Sequence, residues 1–337
     1  MTKSSLYAVI DMGSNGFTLE IFKNHGDGAP PESLYKITHQ CKLAEGMLQE
    51  NPRLNEDGIA CAKKALKAFK EKIEKRKLKP DHVFLVATDA IRRTQETETT
   101  KDLLEYAKAT FPESSLDILT EEQEAKASRQ ALFCAFPDAK GLGFNTGGAS
   151  SEFGLQDTED APQKWVTIRY GALTLLAAAE GNIPEAAKIF GAALDQYDWI
   201  PMAKGKPLYL MGGSFSALAK AINWLSKKEK KTKKALQEEG GKKKDKPKKA
   251  QEIDFPHGAT LYPAHIQPYL KALAGFEVSD FNAAPEDIKK RAKMIPLMAL
   301  VLQEIMNRVA PHRIVRCALG MRVGVLKIKL KDHTPGG

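Results

Sequence analysis

Two stretches of small residues, Asp11–Gly16 (DMGSNG) and Asn145–Ser151 (NTGGASS), constrain this chain more than any other feature. Each follows an apolar run and precedes an alternating segment, which reads as strand, tight turn, strand. The flanking strands are expected at 6–10 and 17–22 in the first copy, and at 141–145 and 150–155 in the second. A tip without bulky side chains leaves backbone N–H groups able to face an anion, and glycine lets a phosphate come close. One such turn alone is more simply a structural Gly-Gly turn. The second copy implies an internal duplication, with two tips facing each other across a cleft and holding a phosphoryl chain from both sides.

The segments around each tip repeat too. In the first half a third strand is expected at 34–41, and Asn55-Glu56-Asp57 can cap a helix over 57–76 with an apolar stripe. The run His82–Ala87 (HVFLVA) reads as a strand buried on both faces, delivering Thr88-Asp89-Ala90-Ile91-Arg92-Arg93 at its C-terminal end, where open α/β sheets place ligands. A helix at 96–110 and a strand at 116–119 follow, then a helix opened by a Thr120/Gln123 capping box that puts Glu124 in its first or second turn. The second half repeats the order: strands at 141–145, 150–155, 164–168 and 207–211, helices near 171–180, 184–197 and 214–225, then helices near 262–273 and 285–309 and a strand at 313–317. Two βββα halves, each followed by βα units, predict a duplicated α/β fold.

The net charge of +9 comes mostly from one place. Residues 227–249 hold 12 lysines against Glu229, Glu238, Glu239 and Asp245, a balance of +8. The remaining body is near neutral, so no specific nucleic-acid site is expected. The lysine run itself reads as a solvated loop, or more sharply as a cationic arm that would concentrate a polyanion. The four cysteines are scattered without a CxxC pair, which argues against a disulfide framework or zinc site and for a reducing, cytoplasmic setting. No apolar run approaches the roughly 20 residues a membrane helix needs, and the N-terminal residues lack a signal-peptide layout. His257 and His312 have no partner at metal-ligand spacing and read as structural.

Seven segments in order resemble the exopolyphosphatase/guanosine pentaphosphate phosphohydrolase (Ppx/GppA) family of the actin-like ATPase superfamily. They are AVIDMGSNGFTLEIF, VATDAIRR, LTEEQEAK, FNTGGASSEFG, TIRYGALTL, LMGGSFSALAKA and ALGMRVGVL. The resemblance implies an actin-like (ribonuclease H-like) fold of two lobes around a cleft, divided as 1–126, completed by C-terminal helices, and 127–330, with a Lys-rich insert at 227–250. It implies release of terminal phosphate from polyphosphate or pppGpp, with Mg²⁺ or another divalent cation as cofactor. The short, two-lobed form of the family is the nearer match, and a homodimer is compatible with it.

The implied roles fall on particular residues. Glu124 matches the catalytic glutamate and Arg92 the phosphate-contacting arginine. Asp11 and Glu152 take the metal and share in catalysis. Gly13, Ser14, Asn15, Asn145, Gly147, Gly148, Ala149 and Ser150 form the phosphate cradle. On residue chemistry alone, Glu124 reads as a carboxylate complementing a helix dipole, and Arg92 as half of a salt bridge. The sequence departs from the family pattern at Asn145 (aspartate in the family), Ala149 (glycine), Ser151 (threonine) and Lys126 (arginine). Asparagine brings no charge to a cation. An alternative reading is therefore a catalytically weakened binder of polyphosphate or nucleotide.

Overall fold

In a computed structural model the chain is described over residues 5–26, 29–45, 47, 52–156, 164–239 and 255–332. The first half supplies β1 (Ser5–Met12), β2 (Phe17–Asn24), β3 (Glu32–His39), α1 (Glu56–Lys75), β4 (Val83–Ala87), α2 (Asp89–Thr94), α3 (Glu98–Thr110), β5 (Ser115–Ile118) and α4 (Glu121–Ala135). The second supplies β6 (Gly141–Thr146), β7 (Ser151–Gln156), β8 (Lys164–Ile168), α5 (Ala172–Ala178), α6 (Ile183–Leu194), β9 (Leu208–Met211) and α7 (Gly212–Glu239). It continues through β10 (Thr260–Leu261), α8 (Pro263–Ala274), α9 (Glu286–Lys289), α10 (Ile295–Val309), β11 (Ile314–Arg316) and α11 (Met321–Asp332).

The duplication is explicit in the sheets. The first runs β3-β2-β1-β4-β5, and the second contains β8-β7-β6-β9-β11 with β10 added at the β11 edge. In both, the first three strands in sequence pair antiparallel and the later strands join parallel, except β10, which pairs antiparallel with β11. β4 is buried at every position, as a strand covered on both faces must be. Asn55 caps α1 by accepting from Gly58 N at 2.8 Å, and the Thr120/Gln123 capping box opens α4.

Helices α4 and α11 lie between the sheets. Ala125, Ala127, Ala131 and Leu132 of α4 join Val323, Val325 and Leu326 of α11 in one apolar cluster with Val9, Phe84 and Val86 of the first sheet and Tyr209 and Met211 of the second. The two helix backbones touch where they cross: a Cβ on Gly324 would stand 1.8 Å from the Ala127 carbonyl oxygen. Only glycine permits that approach.

Two expectations are corrected. Residues 285–309 form two helices, because the Pro296 ring cannot follow a helical turn through residue 292, while near the start of α10 its missing N–H costs nothing. The lysine run is not a loop over 227–239; its Lys, Glu, Gln, Ala and Leu residues are good helix formers, and they extend α7 to Glu239. Residues 240–250 lie outside the described part. Among the described residues, no helix is long and apolar enough to cross a membrane.

Candidate active site

The tips after β1 and β6 meet. A Cβ on Gly148 would stand 3.0 Å from Cβ of Asn15, and both tips line a cleft of about 430 Å³. The carbonyls of each tip are pinned by neighbouring segments. Those of Ser14 and Asn15 accept from Ala44 and Lys42, and those of Gly147 and Gly148 accept from Ala172 and Leu173 as α5 begins. The amides are used differently. Gly147 N closes its own turn onto Ser150 O at 2.9 Å, whereas the N–H groups of Ser14, Asn15, Gly148 and Ala149 find no acceptor among the described residues. Backbone donors near the interior rarely go unanswered. Here they border a cleft that an anion can fill.

Of the residues singled out from the sequence, the structure brings Asp11, Gly13, Ser14, Asn15, Glu124, Asn145, Gly147, Gly148, Ala149, Ser150 and Glu152 to that cleft. Arg92 is the exception. Its guanidinium is held behind Glu124, donating to a Glu124 carboxylate oxygen, to Leu119 O at 2.5 Å and to Asp89 Oδ1 at 3.2 Å. It is not among the residues lining the cleft. A guanidinium on three acceptors fixes a carboxylate better than it grips a mobile phosphate. His257 and His312 have structural partners, His257 accepting from Ala318 N and His312 pairing with Gly205 O.

Glu152 is held from two sides. Its Oε1 accepts from Ser150 Oγ at 2.8 Å and its Oε2 from Asn145 Nδ2 at 2.6 Å, and the same amide donates to Ser128 Oγ at 3.1 Å. Burial pushes the Glu152 carboxyl up to about 7, against the pull of those two hydrogen bonds. Glu124 is 2% exposed, and burial followed by repulsion from Glu152 lifts it well above the ordinary carboxylate range although Arg92 opposes the rise. Gly212, at φ +83°, clears space for Asn145, whose Oδ1 would stand 2.1 Å from a Cβ there.

Sequence reasoning missed the groups that answer Asp11. Arg322, at the start of α11, donates Nη1 to Asp11 Oδ2 at 2.9 Å and Nε to Glu20 Oε2 at 2.7 Å. Ser33 Oγ donates to Glu20, and the Lys36 ammonium lies 3.7 Å from it. Burial raises Asp11 above its usual range despite Arg322; in Glu20 the same burial is outweighed by Arg322 and Lys36, and its carboxyl is lowered. The segment around Arg322 resembles a family landmark, but no local spacing announces a pair so distant in sequence. Lys220, Lys290 and Arg291 add positive charge further along the cleft.

The sequence model of the Ppx/GppA phosphatase family matches residues 21–333. The chain belongs to that family. Ppx/GppA relatives named guanosine-5'-triphosphate,3'-diphosphate pyrophosphatase include those of Photobacterium profundum, 27% identical over 193 residues, and Vibrio vulnificus, 25% identical over 193 residues. Each match covers 57% of this chain and 37% of the relative, so the chain aligns with little more than a third of those proteins. Among solved structures, an exopolyphosphatase from Cytophaga hutchinsonii superposes with a TM-score of 0.76 at 19% identity, over 99% of this chain and 100% of that one. The Aquifex aeolicus family member gives 0.69 at 20% identity, over 98% and 100%. At such identities the superpositions establish the fold: the duplicated, two-lobed architecture of the Ppx/GppA family.

The site also bears on the cation expected of this family. Asp11, Glu124 and Glu152 offer only oxygen, the donor a hard divalent ion takes. Among the described residues, however, no three His, Cys, Asp or Glu side chains are grouped to hold an ion, and Asp11 and Glu152 are already answered by protein donors. The donor chemistry suits a hard divalent ion, but among the described residues these side chains do not form a cage of their own.

Proposed function

We propose that the chain is a phosphohydrolase that removes terminal phosphate from inorganic polyphosphate or pppGpp. The observation carrying this reading is the opposition of unanswered tip amides to a buried carboxylate in one cleft. The amides of Ser14, Asn15, Gly148 and Ala149, with the hydroxyl of Ser14, bind the oxygens of the phosphate being transferred, while Ser150 positions Glu152. Glu124 orients the attacking water and takes its proton, its raised affinity for protons bringing it nearer working pH. Arg92 holds Glu124 in place. Mg²⁺, when bound, would offset phosphate charge, held by Asp11 and Glu152 together with substrate oxygens. The lobes are read as residues 1–126 and 127–330, a boundary that falls inside α4, and α11 packs back against β1 and α4.

Asn145 favours a second reading, a weakly catalytic binder. Its amide satisfies Glu152 without a cation. One assay separates the two: phosphate release from polyphosphate and pppGpp with Mg²⁺, by the parent protein, Glu124→Ala and Asn145→Asp. Loss of parent activity by roughly 10²-fold or more in Glu124→Ala supports the enzyme. Activity that emerges only in Asn145→Asp supports the binder.

A further inference from the structure

The first turn of α2 touches two parts of the site at once. Ala90 N donates to Ser14 Oγ of the first tip at 3.3 Å, and Thr88, the N-cap, lines the cleft. Asp89 follows as the first helical residue; it does not line the cleft and is 1% exposed. Its Oδ1 accepts from Arg92 Nη2 at 3.2 Å, one turn on. Its Oδ2 accepts no hydrogen bond among the described residues and lies 3.8 Å from Arg93 Nη1. A buried carboxylate with an unanswered oxygen is costly, so stability alone does not call for one here. Complementing the helix dipole does not call for it either, since α2 has only six residues and the carboxylate turns to a side chain.

Arg92 is where that carboxylate acts. Nη1 of Arg92 donates to Glu124 and to Leu119 O, while Nη2 has two further carboxylates near it, Asp89 at 3.2 Å and Glu121 Oε1 at 3.9 Å. The Glu121 side chain is 37% exposed and already accepts from Arg169 Nε at 2.7 Å. Asp89 is therefore the group that anchors the second nitrogen. Anchoring both nitrogens fixes the plane of the guanidinium and keeps the first aimed at Glu124.

We infer that Asp89 is a positioning residue for the hydrolysis: it locks the Arg92 guanidinium and, through it, the direction in which Glu124 faces the phosphate cleft. The inference rests on the phosphohydrolase reading and adds to it a residue that acts only through Arg92. Released from Asp89, Arg92 would keep its charge beside Glu124 but lose its fixed orientation. A misplacement of about 1 Å can cost about 100-fold in rate, so orientation is the quantity at stake.

The test compares the full chain with Asp89→Asn, Arg92→Gln and the double variant, all assayed well below their melting transitions. Asp89→Asn keeps the shape of the side chain and removes its charge; if it does not fold, the smaller Asp89→Ser carries the same comparison. The expected result is a fall in kcat of about 10- to 100-fold with KM within about twofold of the parent. The double variant should be no slower than Arg92→Gln by more than about twofold, because Asp89 has no other route to the reaction. In parallel, the guanidinium of Arg92 is followed by NMR in protein carrying isotope-labelled arginine, its signals assigned by their loss in Arg92→Gln. A locked guanidinium gives separate Nη signals in the parent, and these should merge in Asp89→Asn. A kcat equal to that of the parent overturns the inference and leaves Asp89 a structural residue. Losses that multiply in the double variant overturn it too, as does a rise in KM at constant kcat, which would mean that Arg92 grips substrate. Merged signals in the parent, or separate ones in the variant, overturn the lock itself. If the parent protein hydrolyses neither polyphosphate nor pppGpp, the phosphohydrolase reading fails, while the NMR comparison still decides whether Asp89 holds Arg92.

Discussion

The amide of Asn145 donates to Oε2 of Glu152 across 2.6 Å, in a buried setting where an aspartate would set one carboxylate against another. Two buried carboxylates at that distance require a proton or a cation between them. Asn145 removes the requirement. Asn145→Asp should therefore lower stability by about 1–3 kcal/mol in EDTA, the cost of a lost buried donor and an added repulsion. Magnesium should restore much of that loss. Thermal denaturation with and without the ion checks it, and equal losses in both conditions would show that the amide does not stand in for charge.

In the proposed reaction Glu124 acts as a base only when ionised, and burial with repulsion from Glu152 raises its pKa well above the usual carboxylate value. Phosphate release should thus decline as pH falls through a value above the ordinary carboxylate range. Arg92 opposes the rise, so Arg92→Gln should move that acid limb to still higher pH. The pH profile of kcat/KM for both proteins is the measurement. A limb that stays put in the variant would remove Arg92 from the mechanism.

Arg322 is the shared cation for Asp11 and Glu20. Arg322→Gln leaves facing carboxylates with only Lys36 nearby, and truncating one partner of such a buried cluster costs about 3–5 kcal/mol. The stability lost on substitution should shrink at acid pH, where the carboxylates are protonated. Urea titrations at neutral and acid pH give the comparison. An identical loss at both would mean that packing, and not charge, is what Arg322 supplies.

Gly324 touches the Ala127 carbonyl, so Gly324→Ala must push α11 off α4. The expected cost is about 3 kcal/mol, the upper end for overpacking, because backbone stands on both sides. Activity should fall further than stability explains, since α11 carries Arg322 and α4 carries Glu124. Phosphate release assayed well below the melting transition tests this; full activity there would uncouple the crossing from the site.

Much of the fold was legible because its cues are local. Glycine tips, continuous apolar strands and the caps at Asn55 and Thr120 each act within a few residues, and the duplication made each half a check on the other. What misled were segments whose local chemistry favours two states. The lysine run has the charge of a solvated loop and the helix propensity of α7, and continuity with a packed helix decides between them over 227–239. In the site, the glycine-rich tips were legible from residue type and position, whereas the two cleft glutamates were picked out only by the family resemblance. Arg322, Lys36 and the capture of Arg92 by Glu124 were not legible, because ion pairs between distant elements leave no periodic trace.

Asp11 and Arg322 stand 311 residues apart, yet the carboxylate at the head of the first hairpin tip depends on that arginine. Closing so long a loop is slow, and its reward comes only after both sheets exist. The cleft is accordingly expected to complete late in folding. A single proteolytic cut between β11 and α11 should silence phosphate release while the circular dichroism of both sheets persists.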